Sequence, residues 1–328
     1  MAKNIVVCYD GTGNEYGKHN TNVVCLFQCL RKYRLQQAFY DPGVGTFSAF
    51  GRRIFKRAGI LLGLAFGFGL TKNIEDGYRY LMETYEPGDK VFIFGFSRGA
   101  FTARSLAGMI HQFGLLQRGS INLIPYVTKN YLDQSLSREI IEGFKKTYAI
   151  HCEIHFIGVW DTVASLGHLR SRTFPDAVLN KDVKFGYQAV SIDEKRKKFP
   201  VSLWNEDETS PRQQIEQVWF AGVHSNVGGY YEDRGLSDIA LGWMLDNAEK
   251  KGLMLIDDWQ ELLKQNPEGT LHKSRKYHWK LWPKVTREIP SSSCIHQSVL
   301  DRKNIISSYK PELPDEFEIK SNSTYDGV

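Results

Sequence analysis

The stretch Lys90-Val-Phe-Ile-Phe-Gly-Phe-Ser97-Arg-Gly-Ala-Phe-Thr-Ala-Arg-Ser-Leu-Ala-Gly108 decides the fold. Val91 to Phe96 is an apolar run that reads as a buried strand. Good helix formers follow it, with apolar positions at Phe101, Leu106, Ala107 and Ile110. Between the two lies Gly95-Phe-Ser97-Arg-Gly99, a G-x-S-x-G sequence that ends a strand and opens a helix. That is the context of a nucleophile elbow, a sharp turn that lifts a serine hydroxyl clear of the sheet. The glycines let strand and helix backbones approach where a Cβ would clash. The helix N-terminus below the serine favours developing negative charge. Ser97 is therefore the expected nucleophile of a serine hydrolase.

Outward from this stretch, other short apolar runs end in reactive residue types. Val6-Val-Cys-Tyr leads to Asp10, Phe156-Ile-Gly-Val-Trp to Asp161, and Trp219-Phe-Ala-Gly-Val to His224. Gln37 to Tyr40 reads as a further strand. Helical patterns separate the strands, from about Asn22 to Lys32, Thr71 to Leu81, Ser120 to Ala149 and Asp238 to Glu249. Val183 to Asp193 reads as partly helical, and Lys320 to Gly327 as a loose tail. Alternation of strand and helix gives an α/β fold of the α/β-hydrolase type. Its sheet is mostly parallel with helices on both faces. One domain over 1–328 is expected, with a Gly-rich apolar insertion at 47–70 as a cap or lid and a C-terminal extension at 251–328.

Composition narrows the class. A chain of 328 residues with 42% hydrophobic content is neither disordered nor a helical membrane protein. A net charge of +5 gives no indication of nucleic acid. The five cysteines show no paired zinc spacing, and Cys25 and Cys29 read as free thiols in a reducing compartment. Met-Ala-Lys-Asn runs straight into a strand without a signal peptide, so a cytoplasmic location is expected, with export left to a non-classical machine. Ala58 to Leu70 is apolar but shorter than the roughly 20 residues of a spanning helix. Arg52, Arg53, Lys56 and Arg57 precede it, so 52–70 reads as a mobile cap or a peripheral membrane contact.

In a parallel sheet the strand ends share one edge, where sites form. The order Ser97, Asp161, His224 is that of an α/β-hydrolase triad. Asp161 has a blander reading as the cap of a helix starting at Thr162. One oxyanion donor is expected from the Arg98 N–H, the second from Gly11 or Thr12. Asp10 is read as ordering its own loop rather than as catalytic. His151 and His155 lie at a strand and do not suggest a metal site; Lys195 to Lys198 reads as a solvated face that could attract anionic headgroups. The chemistry calls for no cofactor and no metal, and there is no D-x-D-x-D-G calcium loop.

Seven motifs, in order, resemble a known family: Tyr9-Asp-Gly-Thr-Gly-Asn14, Gly43-Val-Gly-Thr46, Gly67-Phe-Gly-Leu-Thr-Lys-Asn-Ile74, Gly95-Phe-Ser-Arg-Gly-Ala100, Val159-Trp-Asp-Thr-Val163, Ser191-Ile-Asp-Glu-Lys-Arg196 and Val223-His-Ser-Asn-Val-Gly-Gly229. They look like the uncharacterised α/β-hydrolase domain found in one class of type VI secretion phospholipase effectors. The resemblance implies that Ser97, Asp161 and His224 form the triad and that phospholipid carboxyl esters are the substrates. It departs at Tyr9, Asn226 and Tyr230, where the family usually has phenylalanine, aspartate and glycine. The chain also reads as lacking the toxins' extra membrane-binding region. That suggests an intracellular lipase or esterase, or a catalytic subunit controlled by a protein partner. Three other readings stay open: a soluble small-molecule or polymer esterase, a metal-dependent phosphohydrolase using Asp10 and Asp161, and a non-catalytic binding module.

Overall fold

The computed structural model describes residues 2–11, 14, 16–43, 59–163, 179–206, 209–274, 284–325 and 327, leaving aside the side chains of 59–68. Its centre is a sheet of eight parallel strands. They are β1 (Asn4–Tyr9), β2 (Gln36–Asp41), β3 (Lys90–Phe96), β6 (Ile154–Trp160), β7 (Val183–Ser191), β8 (Gln214–Phe220), β9 (Ser293–His296) and β10 (Phe317–Lys320). β4 (Leu115–Leu116) and β5 (Ala149–Ile150) form a small antiparallel pair beside it. The spatial order is β2-β1-β3-β6-β7-β8-β9-β10. The chain winds one way from β1 to β2 and the other way from β3 onward. The β1/β3 boundary is thus a topological switch point, where open α/β sheets form crevices at the carboxyl ends of their strands.

Alternation along the strands builds a core on each face. Ile5, Val7, Tyr9, Val91, Ile93, Ile157 and Val159 face one layer; Val6, Cys8, Phe92, Phe94, Phe96, Phe156 and Trp160 face the other. The first layer is covered by α2 (Gly59–Thr84), α3 (Arg98–Phe113) and α4 (Ile124–Asp133). α5 (Arg138–Tyr148) packs outside α3. The second is covered by α1 (Asn22–Cys29) and α7 (Gly235–Lys250). Thr21 caps α1 by accepting the Val24 N–H at 3.3 Å. No described helix is long and apolar enough to cross a membrane.

Three expectations need correction. First, the helix before β3 does not begin at Thr71 but runs unbroken from Gly59. No proline or capping residue interrupts 59–70, and glycines weaken a helix by only about 1 kcal/mol each. The remainder of the 47–70 insertion lies outside the described residues. Second, 183–193 is not helical, because Val183–Ser191 is a central strand. The buried Gln188 disguised it: its Oε1 accepts from the Thr162 hydroxyl at 2.9 Å, and its Nε2 donates to the Ser202 carbonyl at 3.1 Å. The C-terminal part adds β9 and β10 to the main sheet, with α8 (Gln297–Ile305) between them. Third, the tail is packed as far as Tyr325. His296 Nε2 donates to Asn322 Oδ1 at 3.0 Å, and the Tyr325 hydroxyl donates to Asp301 at 2.7 Å.

Candidate active site

Ser97 sits where β3 turns into α3, in a backbone conformation (φ 58°, ψ −116°) that L-residues rarely adopt. The surroundings hold it there. Its N–H donates to the Trp160 carbonyl of β6 at 3.0 Å. A Cβ at Gly95 would strike the Gly99 carbonyl, and one at Gly99 would strike the carbonyls of Tyr9 and Asp10. Only glycine at both positions lets α3 sit this close to β1. The Ser97 side chain does not cap α3. Its Oγ lies 2.7 Å from His224 Nε2.

His224 opens α6 (His224–Gly228), reached from β8 through Gly222 at φ 124°. Its ring is held between Phe96 and Phe199, with centroids 4.7 and 5.1 Å away. Its Nδ1 lies 2.5 Å from Asp161 Oδ2. An ionised carboxylate only accepts, so Nδ1 carries the proton and Nε2 is left to accept from Ser97.

Asp161 follows β6 with φ 42° and no exposed surface. It caps no helix at Thr162: neither Thr162 nor Val163 is helical, and Val163 bridges Val201. Its Oδ1 accepts the Ser191 N–H at 2.9 Å and Arg287 Nη1 at 2.5 Å, and Oδ2 accepts Arg287 Nη2 at 3.1 Å as well as His224. Burial alone would raise this carboxyl. The adjacent Arg287 charge and the bonds from His224 outweigh it and hold Asp161 well below the usual carboxylate range.

Asp10 binds its own loop, accepting from the Gly11 N–H at 2.6 Å, Asn14 at 3.1 Å, and the Thr21 and Tyr40 hydroxyls at 2.8 Å each. Burial nevertheless raises its pKa, against the opposing pull of those bonds. The Gly11 N–H, an expected oxyanion donor, is bonded to the Asp10 carboxylate in this structure. Thr12 lies outside the described residues. The Arg98 N–H stands in the first turn of α3, at its positively polarised end.

Arg287, which meets the triad, carried no usable sequence signal. Arg287 lies 126 positions from Asp161, in an irregular segment. The Ser191-to-Arg196 motif proves to be the support behind the histidine loop. Asp193 accepts the Gly222 N–H at 2.8 Å, and Glu194 accepts the His224 N–H at 3.3 Å. Arg196 donates to Glu194 at 2.8 and 2.9 Å and stacks 3.5 Å over the Phe199 ring. This arginine is therefore not part of a merely solvated face, although Lys197 and Lys198 are exposed. Asn226 accepts the Val223 N–H at 3.3 Å and the His272 N–H at 3.1 Å, tying the loop to 270–272. Among the described residues no group of three or more His, Cys, Asp or Glu could hold a metal, and His155 donates to the Lys251 carbonyl at 2.8 Å.

Comparison with known proteins sets this geometry in context. Residues 3–247 match the family model described as type VI secretion system (T6SS) phospholipase effector Tle1-like, catalytic domain. An uncharacterised Saccharomyces cerevisiae protein, YEL023C, is 37% identical over 217 residues, 60% of this chain and 32% of the yeast protein. A crystal structure of an uncharacterised Pseudomonas aeruginosa protein aligns with TM-score 0.45 and 20% identity, over 81% of this chain and 47% of that one. The chain thus spans about a third of the yeast relative and about half of the bacterial one.

Proposed function

We propose, from the premise that this chain belongs to the family of Tle1-like phospholipase effector catalytic domains, that it hydrolyses carboxyl esters of phospholipids through an acyl-enzyme on Ser97. The observation that carries the reading is the unbroken line from Asp161 Oδ2 to His224 Nδ1 (2.5 Å) and from His224 Nε2 to Ser97 Oγ (2.7 Å).

The chemistry follows from that line. Ser97 Oγ attacks the acyl carbonyl as its proton passes to His224 Nε2. Asp161 keeps the imidazole in the tautomer that can accept this proton and offsets the charge that develops. Negative charge builds on the former carbonyl oxygen, near the N-terminus of α3 and the Arg98 N–H. Collapse of the tetrahedral intermediate breaks the ester bond, and His224 returns the proton to the departing lysophospholipid oxygen. Water, deprotonated by His224, then releases the fatty acid and restores Ser97.

The test is release of free fatty acid from phospholipid vesicles, read beside a water-soluble short-chain ester. The proposal expects lysophospholipid and fatty acid from wild type and neither from Ser97→Ala. Turnover of the soluble ester with intact vesicles would replace the lipid substrate with a soluble one and leave the mechanism standing. Equal hydrolysis by the folded Ser97→Ala protein would remove the mechanism.

A further inference from the structure

We propose that Arg287 is a positioning residue for the active site, setting both the orientation of the Asp161 carboxylate and the pH at which the site becomes competent. This rests on the serine-hydrolase reading above. The family match ends at residue 247, so Arg287 reaches the site from outside the matched segment.

The geometry is specific. The guanidinium forks onto both Asp161 oxygens, at 2.5 and 3.1 Å. Nη1 also donates to the Ser191 carbonyl at 2.9 Å and the Ser191 hydroxyl at 2.7 Å, and Nη2 donates to the Phe199 carbonyl at 3.0 Å. One side chain thereby joins the end of β6, the end of β7 and the loop whose phenylalanine packs on the His224 ring. The planar fork fixes the carboxylate plane, so that Oδ2 points at His224 Nδ1.

The charge has a second effect. Asp161 is faced by Arg287, by His224 and by the Ser191 N–H. His224 is faced by Ser97, by the Phe96 and Phe199 rings and, at its backbone N–H, by Glu194, which is paired with Arg196. With Arg287 present the buried Asp161–Arg287 pair is neutral overall. Without it, the burial that raises the Asp161 carboxyl is opposed by His224 alone, and the carboxyl takes up a proton more readily. The competent form, with Asp161 ionised, would then require a higher pH.

The experiment compares wild type, Arg287→Lys and Arg287→Met by steady-state ester hydrolysis across pH, with thermal melts and labelling by a fluorophosphonate probe. Arg287→Met should lower kcat by about 10- to 100-fold with little change in KM, because the triad is misaligned rather than the substrate site. It should also raise the acidic limb of kcat/KM by about one pH unit, since a nearby positive charge has gone. Arg287→Lys keeps the charge without the fork, so its acidic limb should stay in place while kcat falls about 10-fold. If the Met variant does not fold, the Lys variant decides: wild-type kcat there overturns the assignment. Folded variants that match wild type in kcat and in the acidic limb overturn it too. A wild type that hydrolyses esters but never labels at Ser97 overturns the serine-hydrolase reading and this assignment with it. A labelled wild type whose Arg287 variants match it overturns the assignment alone.

Discussion

Ser97 Oγ lies 2.7 Å from His224 Nε2, although 127 positions separate the two residues. The contact exists because β3 and β8 run parallel and end at the same edge, and because the backbone at Ser97 is held at a positive φ. Replacing Ser97 by alanine keeps that strain and removes the nucleophile. Activity should fall by roughly 10⁴-fold or more. Replacing it by glycine should remove activity equally but raise stability over Ser97→Ala by about 1 kcal/mol, since glycine adopts this conformation at little cost. Urea unfolding of the two variants measures the difference.

Gly99 is expected to be the least replaceable residue of the elbow. A Cβ there runs into backbone carbonyls of Tyr9 and Asp10, which no side-chain rotation relieves. Gly99→Ala should destabilise by about 2–4 kcal/mol and weaken fluorophosphonate labelling of whatever folds. Gly88→Ala is a useful control for clash, because nothing lies within 4 Å of a Cβ at that glycine. Its φ of 98° still strains alanine, but by only about 1 kcal/mol.

Tyr9 is a test of a buried polar atom. Its side chain is 1% exposed, and its hydroxyl has no partner among the described residues. Tyr9→Phe removes a desolvated group that gains no hydrogen bond. It should leave stability unchanged or raise it by up to about 1–2 kcal/mol, with kcat unaffected. A thermal melt and one steady-state assay check both.

His296 makes stability depend on pH. Burial pushes it down to about 4, below its unfolded value of 6.5, and it is neutral in the fold. The unfolded chain therefore binds a proton between these values that the folded chain does not. Its contribution is fully present above pH 6.5 and is lost as pH falls through about 4. The loss should approach about 3 kcal/mol. Denaturant titrations at pH 7 and pH 4.5 should show it, and His296→Gln should show a smaller difference between the two.

The sheet was legible where strands were uniformly apolar. Val91–Phe96 and Phe156–Trp160 have no polar residue to confuse the pattern, and both are strands. β7 escaped because Gln188 is a polar residue in the core, satisfied only by groups distant in sequence. β9 and β10 are four residues each, too short for alternation to be read, and β10 lies at the sheet edge. At the site, Ser97 and Asp161 directly follow apolar strands and His224 lies just beyond the end of β8, and the edge they share follows from parallel order. Arg287 has no such marker, since it acts through a contact that only the folded chain creates. The bond from the Gly11 N–H to the Asp10 carboxylate is a local contact that spacing does not reveal.

The most direct measurement is the intact mass and peptide map of the protein after reaction with a fluorophosphonate, wild type beside Ser97→Ala. The account predicts one adduct on wild type, located at Ser97, and none on the variant. An adduct at another serine, or a folded and hydrolytically active wild type that takes up no probe, would contradict it.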